Sequence, residues 1–441
     1  MYLGCSARGL AGLVAFAIVV VPAVAGTDDW PQWRGPLGTG VASGGDPPVE
    51  WSEDRNIRWK RPVPGTGHST PIVWGDRVFI TSAVPYGDPL PPRHDDAHGS
   101  HDSAPITHRY RFVVFAISRE NGDIQWERTV QRAVPHEGGH YTGSLASNSP
   151  VTDGELLFAF FGSRGLYCLS LDGDPRWDVD LGDKSTLHAH GEGSSPALHG
   201  DTVVVNWDHE GQSFVVAFDK RTGDERWRTV RDEVTSWATP IVVEHEGRSQ
   251  VIVSGTNRVR SYDMATGDVI WECGGLSRNV VASPVAANGI VYAASSYDTR
   301  AMLAIRLDGA AGDITGTDQV VWTRTRHTPY VPSLLLYEDT LYFLRHYQAI
   351  LSRVRADTGD DITGPLRLGG IRNVYASPVA ASDRVYITDL SGATLVLSHA
   401  EEPQILALNH LDDEFSASAA ISGGDLFLRG RRYLYCIATQ P

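Results

Sequence analysis

The segment Ala217-Phe-Asp-Lys-Arg-Thr-Gly-Asp-Glu-Arg-Trp227 decides the fold of this chain. Its Thr222-Gly223 pair is a turn signal between two β-rich stretches, and the second stretch ends in a tryptophan. The pattern nearly recurs in Tyr262-Asp-Met-Ala-Thr-Gly-Asp-Val-Ile-Trp271. An aromatic at this place is suited to packing one twisted sheet onto its neighbour. A tryptophan closes the fourth strand of a predicted unit at Trp126, Trp177, Trp227, Trp271 and Trp322.

On both sides of this segment the chain repeats one plan: a Ser/Thr-Pro pair, an apolar stretch, a Gly or Asp turn, and a second β-rich stretch. The pairs are Thr70-Pro71, Ser149-Pro150, Ser195-Pro196, Thr239-Pro240, Ser283-Pro284 and Ser377-Pro378, with degenerate copies at Pro332-Ser333 and Ser418-Ala419. Eight units result, and each reads as four short strands. Four-stranded units of 40-odd residues predict an all-β fold, an eight-bladed β-propeller.

The two ends of the chain predict how the ring closes. The last repeat stops at Cys436 without a fourth strand, while residues 56–63 contain a strand with Trp59 but no blade of their own. We expect this N-terminal strand to complete blade eight and remove an exposed sheet edge. The expected organisation is a signal peptide over residues 1–25 and a single propeller domain over residues 26–441, with an insert near residues 85–108.

The N-terminal residues predict export. Leu10 to Val21 is an apolar run of 12 residues behind Arg8, and a small-x-small pattern ends at Ala25. We expect cleavage after Ala25 and a periplasmic or secreted protein with no transmembrane segment after cleavage. An uncleaved anchor is the weaker alternative, because the run is shorter than a bilayer span.

Charge and cysteine content narrow the function classes. The chain has 441 residues, and 38 Lys+Arg against 53 Asp+Glu give a net charge of −15, which disfavours nucleic acid as a partner. Cys168, Cys273 and Cys436 are an odd number with no short-range pair, so no disulfide framework or CxxC metal site is indicated. We expect a monomer.

The repeats resemble a known family. Residues 217–227 match the A-x-D-x-x-T-G-x-x-x-W tryptophan-docking motif of the pyrroloquinoline-quinone-like propeller repeats. The opening Trp30-Pro-Gln-Trp33-Arg34-Gly35-Pro36 is similar to the start of secreted members of this family from planctomycete-like bacteria. The resemblance extends from Trp30 to Ala438 and implies the propeller fold. It does not imply one function, because quinoprotein dehydrogenases and an outer-membrane assembly lipoprotein share the motif.

The resemblance also raises the question of a quinone cofactor. Quinoprotein dehydrogenases of this superfamily have a vicinal Cys-Cys ring over the quinone, a tryptophan beneath it, and a Ca²⁺ ion. This chain has no Cys-Cys pair, and no oxygen ligand set aligns with the calcium site, although Trp237 is placed to floor a planar ligand. Pyrroloquinoline quinone is therefore disfavoured, no cofactor is certain, and a divalent metal stays open.

Enlarged loops predict where function lies. In a propeller, the loop before each Ser/Thr-Pro and the loop between strands two and three lie on the channel mouth. The interval from Trp126 to Pro150 is 24 positions, against 13 from Trp227 to Pro240. Ten of the 16 histidines fall in or beside such loops and the insert. His136, His140, His188 and His190 are the metal candidates; the alternatives are solvated polar loops and, for the insert, a mobile lid or disordered loop.

The other half of the mouth predicts a ligand site. Arg278-Asn279 and Arg372-Asn373 stand at the same position in two blades, six and five residues before the proline. We expect these pairs to form a funnel for an anionic ligand, a sugar or a peptide. The alternatives are that Arg and Asn satisfy loop carbonyls and that the aromatics plug the channel. The remaining members of the predicted ligand site are His68, Trp237, His327, Tyr330, Tyr375 and Phe415.

No catalytic motif accompanies these loops. GxSxG, HExxH, P-loop and dinucleotide-binding patterns are absent from the sequence. The prediction is a non-enzymatic binding or scaffold protein whose mouth takes a small molecule, a glycan or a protein partner. A quinone- or metal-dependent oxidoreductase and an envelope protein-assembly factor are the alternatives.

Overall fold

The structure, a computed structural model, describes residue 1 and residues 28–94 and 99–439. The predicted signal peptide and its cleavage site therefore lie outside the described residues, apart from Met1. In chain order the strands are β1 (Ile57–Pro62), β2 (Ile72–Trp74), β3 (Arg77–Tyr86), β4 (Ser103–Ala104), β5 (Arg109–Ser118), β6 (Ile124–Ala133), β7 (Gly139–His140), β8 (Val151–Thr152), β9 (Leu156–Phe160), β10 (Leu166–Ser170), β11 (Pro175–Val179), β12 (Ala197–His199), β13 (Thr202–Trp207), β14 (Phe214–Asp219), β15 (Glu225–Val230), β16 (Ile241–His245), β17 (Arg248–Ser254), β18 (Val259–Asp263), β19 (Val269–Cys273), β20 (Val285–Ala287), β21 (Ile290–Ser295), β22 (Ala301–Arg306), β23 (Gly312–Asp313), β24 (Val320–Arg324), β25 (Leu335–Tyr337), β26 (Thr340–Leu344), β27 (Ile350–Arg355), β28 (Asp361–Arg367), β29 (Val379–Ala381), β30 (Arg384–Thr388), β31 (Ala393–Ser398), β32 (Ile405–His410), β33 (Ala420–Ser422), β34 (Asp425–Arg429) and β35 (Tyr433–Ala438). Two short 3-10 helices span Gly162–Arg164 and Leu187–Ala189.

These strands form eight antiparallel blades, which confirms the predicted eight-bladed propeller. Blades 1 to 8 are β2-β3-β5-β6, β8 to β11, β12 to β15, β16 to β19, β20-β21-β22-β24, β25 to β28, β29 to β32, and β33-β34-β35-β1. Blade 4 gains β23 as a fifth strand, and β4 pairs with β7 in a separate two-stranded sheet. The prediction that the N-terminal strand closes the ring is also confirmed, because β1 runs antiparallel to β35 with Trp59 opposite Cys436.

Apolar residues of the inner strands form the cores between blades. The apolar strand β9 is buried at all five positions, and its Phe158 and Phe160 share one cluster with Val203 and Val205 of the next blade. The outer strand β11, in contrast, has no fully buried residue. Cys168, Cys273 and Cys436 are buried, free thiols in blades 2, 4 and 8.

The docking tryptophans join one blade to the next. The indole Nε1 of Trp177 donates to the carbonyl of Lys220 at 2.9 Å, and the ring lies over Gly223. A Cβ at Gly223 would lie 2.7 Å from the ring, and its φ of +76° also favours glycine. Trp271 is the exception, since its indole donates to Gln250 within its own blade. The next blade carries β23 and its loop in place of the Thr-Gly turn.

The repeated Ser/Thr residues form a ring of hydrogen bonds. In seven junctions, the backbone N–H of this residue donates to the hydroxyl of its counterpart in the next blade, at 2.8 to 3.0 Å. The links join Thr70 to Ser149, Ser149 to Ser195, Ser195 to Thr239, Thr239 to Ser283, Ser283 to Ser333, Ser333 to Ser377 and Ser377 to Ser418. The Thr70 hydroxyl has no hydrogen-bond partner among the described residues, so the ring is open between blades 8 and 1. We call this junction the seam.

The N-terminal segment crosses the channel on the face opposite the mouth. Trp30 exchanges backbone hydrogen bonds with Val73 of blade 1, and Ala42 donates to Ala380 of blade 7. Between them, the buried Arg34 guanidinium donates to the carbonyls of Leu334 and Pro378 at 2.8 Å. The segment therefore floors the channel and ties distant blades together. Across residues 28–94 and 99–439, no helix has the length and apolar character needed to cross a membrane.

Candidate functional site

Two connected cavities open on the mouth. The central cavity, about 390 Å³, lies on the propeller axis, and a side cleft of about 760 Å³ runs toward blades 7 and 8. They share His68, His140 and Tyr141. Both are lined by the loops between strands four and one and between strands two and three, which antiparallel pairing brings to one face.

Tyrosines line one half of the central cavity in packed pairs. Tyr347 stacks on Tyr375 with centroids 5.4 Å apart and planes 9° apart, and Tyr297 packs on Tyr330 at 5.8 Å. Tyr141 packs on His140 at 4.5 Å. The outer members are accessible: 62% of Tyr141, 43% of Tyr297 and 40% of Tyr347 is exposed. Burial, with the nearby Tyr141 and Tyr347, raises the pKa of Tyr375 to about 12, so these hydroxyls stay neutral near pH 7.

Neutral polar groups line the rest of this cavity. Asn279 is 2% exposed, and its Oδ1 has no hydrogen-bond partner among the described residues. Burial raises the pKa of Tyr330, although a hydrogen bond with Asn279 opposes the shift. Trp237 also lines the cavity, and its indole donates to the Gly191 carbonyl at 2.7 Å. Trp33 contributes from the floor segment, and hydroxyls of the Ser/Thr ring complete the lining.

The insert forms a flap over the other half of the mouth. Its strand β4 pairs with β7, which places Ser103 opposite His140. The Ser103 hydroxyl lies 2.9 and 3.0 Å from the carbonyls of His188 and Ala189. The expectation of a mobile or disordered insert is therefore wrong for its described residues 85–94 and 99–108, because backbone pairing fixes them against the loop between blades 1 and 2.

Histidines cluster beneath the flap. The ring centroids of His101 and His188 are 4.5 Å apart, those of His101 and His190 are 5.0 Å apart, and those of His140 and His190 are 4.8 Å apart. Burial and the neighbouring imidazoles lower the pKa of His190 to about 4, and burial also lowers the pKa of His140.

His136 lies apart from the other predicted metal residues. Its ring is bonded to the Lys184 carbonyl at 2.6 Å and lies 3.6 Å from the Asp183 carboxylate. The structure thus brings His140, His188 and His190 together and adds His101, which the prediction of the metal set omitted.

The two Arg-Asn pairs occupy different surroundings. Arg278 is exposed and forms an ion pair with Asp298, outside the lining of both cavities. Arg372 and Asn373 line the side cleft. Asn279 and Asn373 have φ of 56° and 54°, a left-handed conformation that asparagine tolerates. Backbone conformation therefore explains why asparagine recurs in the two loops.

Two residues of the predicted ligand site do not reach the cavities. Phe415 is 0% exposed and packs on Tyr435 at 5.8 Å, so it belongs to the core. His327 lines neither cavity, and burial together with Arg345 and Arg324 lowers its pKa. An apolar residue in a mouth loop was interpreted as accessible, whereas its side chain turns inward.

The seam beside the cavities holds unpaired buried groups. Arg429, at the end of β34, is fully buried, and its three guanidinium nitrogens have no hydrogen-bond partner in the described part of the chain. Burial lowers its pKa to about 10, with Asp413 opposing the shift. Across the seam, burial together with Arg429 and Arg431 lowers the pKa of His68 to about 4.

A second group of possible metal ligands lies on the opposite face. Ligand atoms of His245, Glu246 and Asp308 are within 4.8 Å of one another, with both carboxylates exposed. These residues belong to the turn after β16 and the loop after β22, on the face opposite the mouth.

Comparisons with known proteins agree with this architecture. A family model described as outer membrane protein assembly factor BamB matches residues 111–363 and 211–440. The structure of BamB from Moraxella catarrhalis is similar with a TM-score of 0.52 and 16% identity, over 80% of this chain and 98% of that chain. A quinohemoprotein alcohol dehydrogenase from Pseudomonas putida gives 0.55 and 9% identity, over 94% of this chain and 81% of that chain. A computationally designed protein gives 0.55 and 10% identity, over 86% and 100%. A search of curated proteins gives no match.

Proposed function

The chain belongs to the family described as outer membrane protein assembly factor BamB, and on that premise we propose that it is an exported binding protein whose mouth takes up a neutral, hydroxyl-rich ligand of the carbohydrate class. The match spans three quarters of the chain and confirms the resemblance to pyrroloquinoline-quinone-like repeats. The apolar run Leu10 to Val21 and the small residues before Gly26 support the export.

The single observation that carries this proposal is the lining of the central cavity. It combines three accessible tyrosine rings with neutral polar groups, and none of its lining residues is Lys or Arg. Sugar rings present C–H faces that pack on aromatic rings and hydroxyls that need donors and acceptors. A concave, mainly aromatic site with a few polar groups is the usual form of a small-ligand site.

Asn279 adds a specific recognition element. Its buried Oδ1 has no partner among the described residues, and a buried unsatisfied acceptor costs about 1 to 3 kcal/mol. A ligand hydroxyl donated to this oxygen removes that cost. The unpartnered Nδ1 of His68 offers a second such position on the same cavity.

The same lining argues against pyrroloquinoline quinone. This cofactor carries three carboxylates, yet the charged residues that line the central cavity near neutral pH are the acids Asp102 and Glu192. Glu192 accepts hydrogen bonds from the backbone and hydroxyl of Ser163, which supports its ionised form. The buried Arg34 lies beneath Trp33, and its two bonded guanidinium nitrogens serve backbone carbonyls. We therefore assign no redox step to this cavity.

Glycan binding to the purified protein tests the proposal. We expect neutral oligosaccharides to bind in a glycan array and in titration calorimetry. The variants Tyr347→Ala and Tyr297→Ala should each weaken binding by about tenfold or more, equivalent to about 1.4 kcal/mol. The control Tyr337→Ala removes a tyrosine at the end of β25 on the opposite face and should leave binding unchanged.

Two outcomes contradict this proposal. Failure of every neutral oligosaccharide to bind the folded protein removes the carbohydrate assignment. Binding restricted to acidic glycans and lost in Arg372→Ala instead assigns recognition to the cations of the side cleft, where Arg372 and Arg431 lie.

A role as a protein-assembly factor is the second candidate, and one surface favours it beside the family match. The outer strand β32 of blade 7 exposes 59% of Ile405, 41% of Leu406 and 51% of Leu408. An apolar outer strand can pair with a strand of another protein. Glycan binding separates the candidates, because a partner on this edge makes no use of the mouth tyrosines.

A further inference from the structure

Three imidazoles from two distant segments meet beneath the flap. His101 belongs to the flap, whereas His188 and His190 belong to the loop between blades 2 and 3. Their ring centroids are 4.5, 5.0 and 5.4 Å apart. A tetrahedral ion with metal–nitrogen bonds of about 2.1 Å would hold ring centroids about 5 Å apart. The observed spacing is therefore that of rings around a common ion.

Each ring also uses one nitrogen in the way that metal-binding histidines do. The Nδ1 atoms of His101 and His188 lie 2.8 and 2.9 Å from the Gly99 carbonyl, and the Nε2 of His190 lies 3.0 Å from the His101 carbonyl. A carbonyl accepts only, so each of these nitrogens carries the proton. The lone pair is left on the opposite nitrogen, which has no hydrogen bond among the described residues. Such carbonyl partners fix the tautomer of histidine ligands in metal sites.

The backbone is strained where it presents His188. His188 and Ala189 have consecutive φ values of 59° and 53°, although neither is Gly or Asn. A left-handed conformation costs such residues roughly 1–2 kcal/mol each. Strain of this kind is concentrated at functional sites, where the surrounding structure enforces it. Here it turns His188 toward Gly99 of the flap, which has no Cβ and lies close to the His188 ring.

We propose that His101, His188 and His190 bind one transition-metal ion, of the Zn²⁺ or Cu²⁺ class, that fastens the flap to the loop between blades 2 and 3. Rotation of the three rings about their side-chain bonds brings the lone pairs onto the ion. Imidazole nitrogens are suitable ligands for both metals. His140 stays outside the ligand set, because its Nδ1 accepts from the Thr142 backbone N–H at 3.3 Å and the proton therefore sits on Nε2. The ion neither needs nor implies a ligand in the central cavity.

Zinc titration of the untagged, chelator-treated protein tests the site. We expect one Zn²⁺ per chain by calorimetry and elemental analysis. The variant His188→Asn keeps a residue that tolerates positive φ. It should weaken Zn²⁺ binding by more than about 100-fold, beyond the effect of removing an outer-shell partner. His190→Ala should do the same, and thermal unfolding of each variant without metal checks that it folds.

Matched controls distinguish this site from other histidines. His136→Ala, in the neighbouring loop, and His245→Ala, on the opposite face, should bind Zn²⁺ as the wild type does. Hydrogen exchange gives a readout that does not depend on affinity: Zn²⁺ should slow exchange of the Tyr141 amide, which donates to the flap carbonyl of Asp102. Unchanged Zn²⁺ affinity in His188→Asn and His190→Ala, or its loss in His245→Ala, would overturn the proposal.

Discussion

The junction between blades 3 and 4 and the seam between blades 8 and 1 solve the same packing problem with different success. In the first, the buried Arg231 donates to both oxygens of Asp208 at 2.7 and 3.1 Å and to the Tyr262 hydroxyl at 2.6 Å. At the seam, the equally buried Arg429 has no hydrogen-bond partner among the described residues. The Ser/Thr link is likewise made between blades 3 and 4 and missing at the seam.

The difference follows from how the ring is built. Interior junctions join two consecutive repeats, so each repeat supplies the partner that its neighbour needs. The seam joins the two ends of the series, where Ser418 and the loops around it are degenerate copies. Its unpaired groups face His68, a residue of both mouth cavities, so the place of poorest internal pairing adjoins the candidate binding site.

Replacing each buried arginine by methionine gives the largest expected contrast. Arg231→Met leaves the Asp208 carboxylate buried without its main partner and should cost about 3–5 kcal/mol of unfolding free energy. Arg429→Met removes a cation that has no partner to lose, and the change should stay within about 1 kcal/mol or be stabilising. Chemical denaturation of the two variants measures both values.

Equal losses in the two variants would contradict this contrast, since they would mean that Arg429 has a partner of equal value. Arg226→Met is a suitable surface control. Its ion pair with Asp219 is partly exposed, and such pairs contribute about 0–1 kcal/mol.

The pH dependence of stability should carry the mark of His68. Burial, Arg429 and Arg431 lower its pKa to about 4, whereas a hydrogen bond with the Thr142 backbone opposes the shift. The unfolded chain therefore binds more protons between pH 6.5 and 4, so stability is lost as pH falls through this window. The contribution is at most about 3 kcal/mol, at 1.36 kcal/mol per pKa unit.

Denaturation curves at pH 7, 5.5 and 4.5 measure this contribution. His68→Gln should flatten the dependence over that window, and Arg429→Met should flatten it partly, because one of the two opposing charges is gone. A wild-type slope that both variants retain would assign the dependence to other groups.

The repeats made the fold predictable, and the site was predictable only in part. Trp227, Thr222-Gly223 and the Ser/Thr-Pro pairs perform the same packing task in each blade, so their spacing predicts eight blades. The mouth loops share no such task. His188 and His190 were named from their density in a long loop, but His101 joins them only through the pairing of β4 with β7, 35 residues apart in sequence.

The tyrosines show the other limit of the sequence. Tyr297 and Tyr347 fall between strands two and three of blades 5 and 6, in short loops that give no signal of enlargement. Their pairing with Tyr330 and Tyr375 becomes visible only when neighbouring blades are in place. A search for aromatics at equivalent loop positions of successive repeats would have found them.

The smallest expected contrast concerns two threonines of the Ser/Thr ring. The Thr239 hydroxyl accepts from the Ser195 backbone N–H at 3.0 Å, so Thr239→Val leaves a buried donor unsatisfied and should cost about 1–3 kcal/mol. The Thr70 hydroxyl has no partner among the described residues, so Thr70→Val should be neutral or slightly stabilising. Both substitutions preserve shape, and thermal and chemical unfolding compare them directly. A loss at Thr70 as large as that at Thr239 would mean that an eighth link closes the ring in solution, and the seam would then differ from the interior junctions only in its charges.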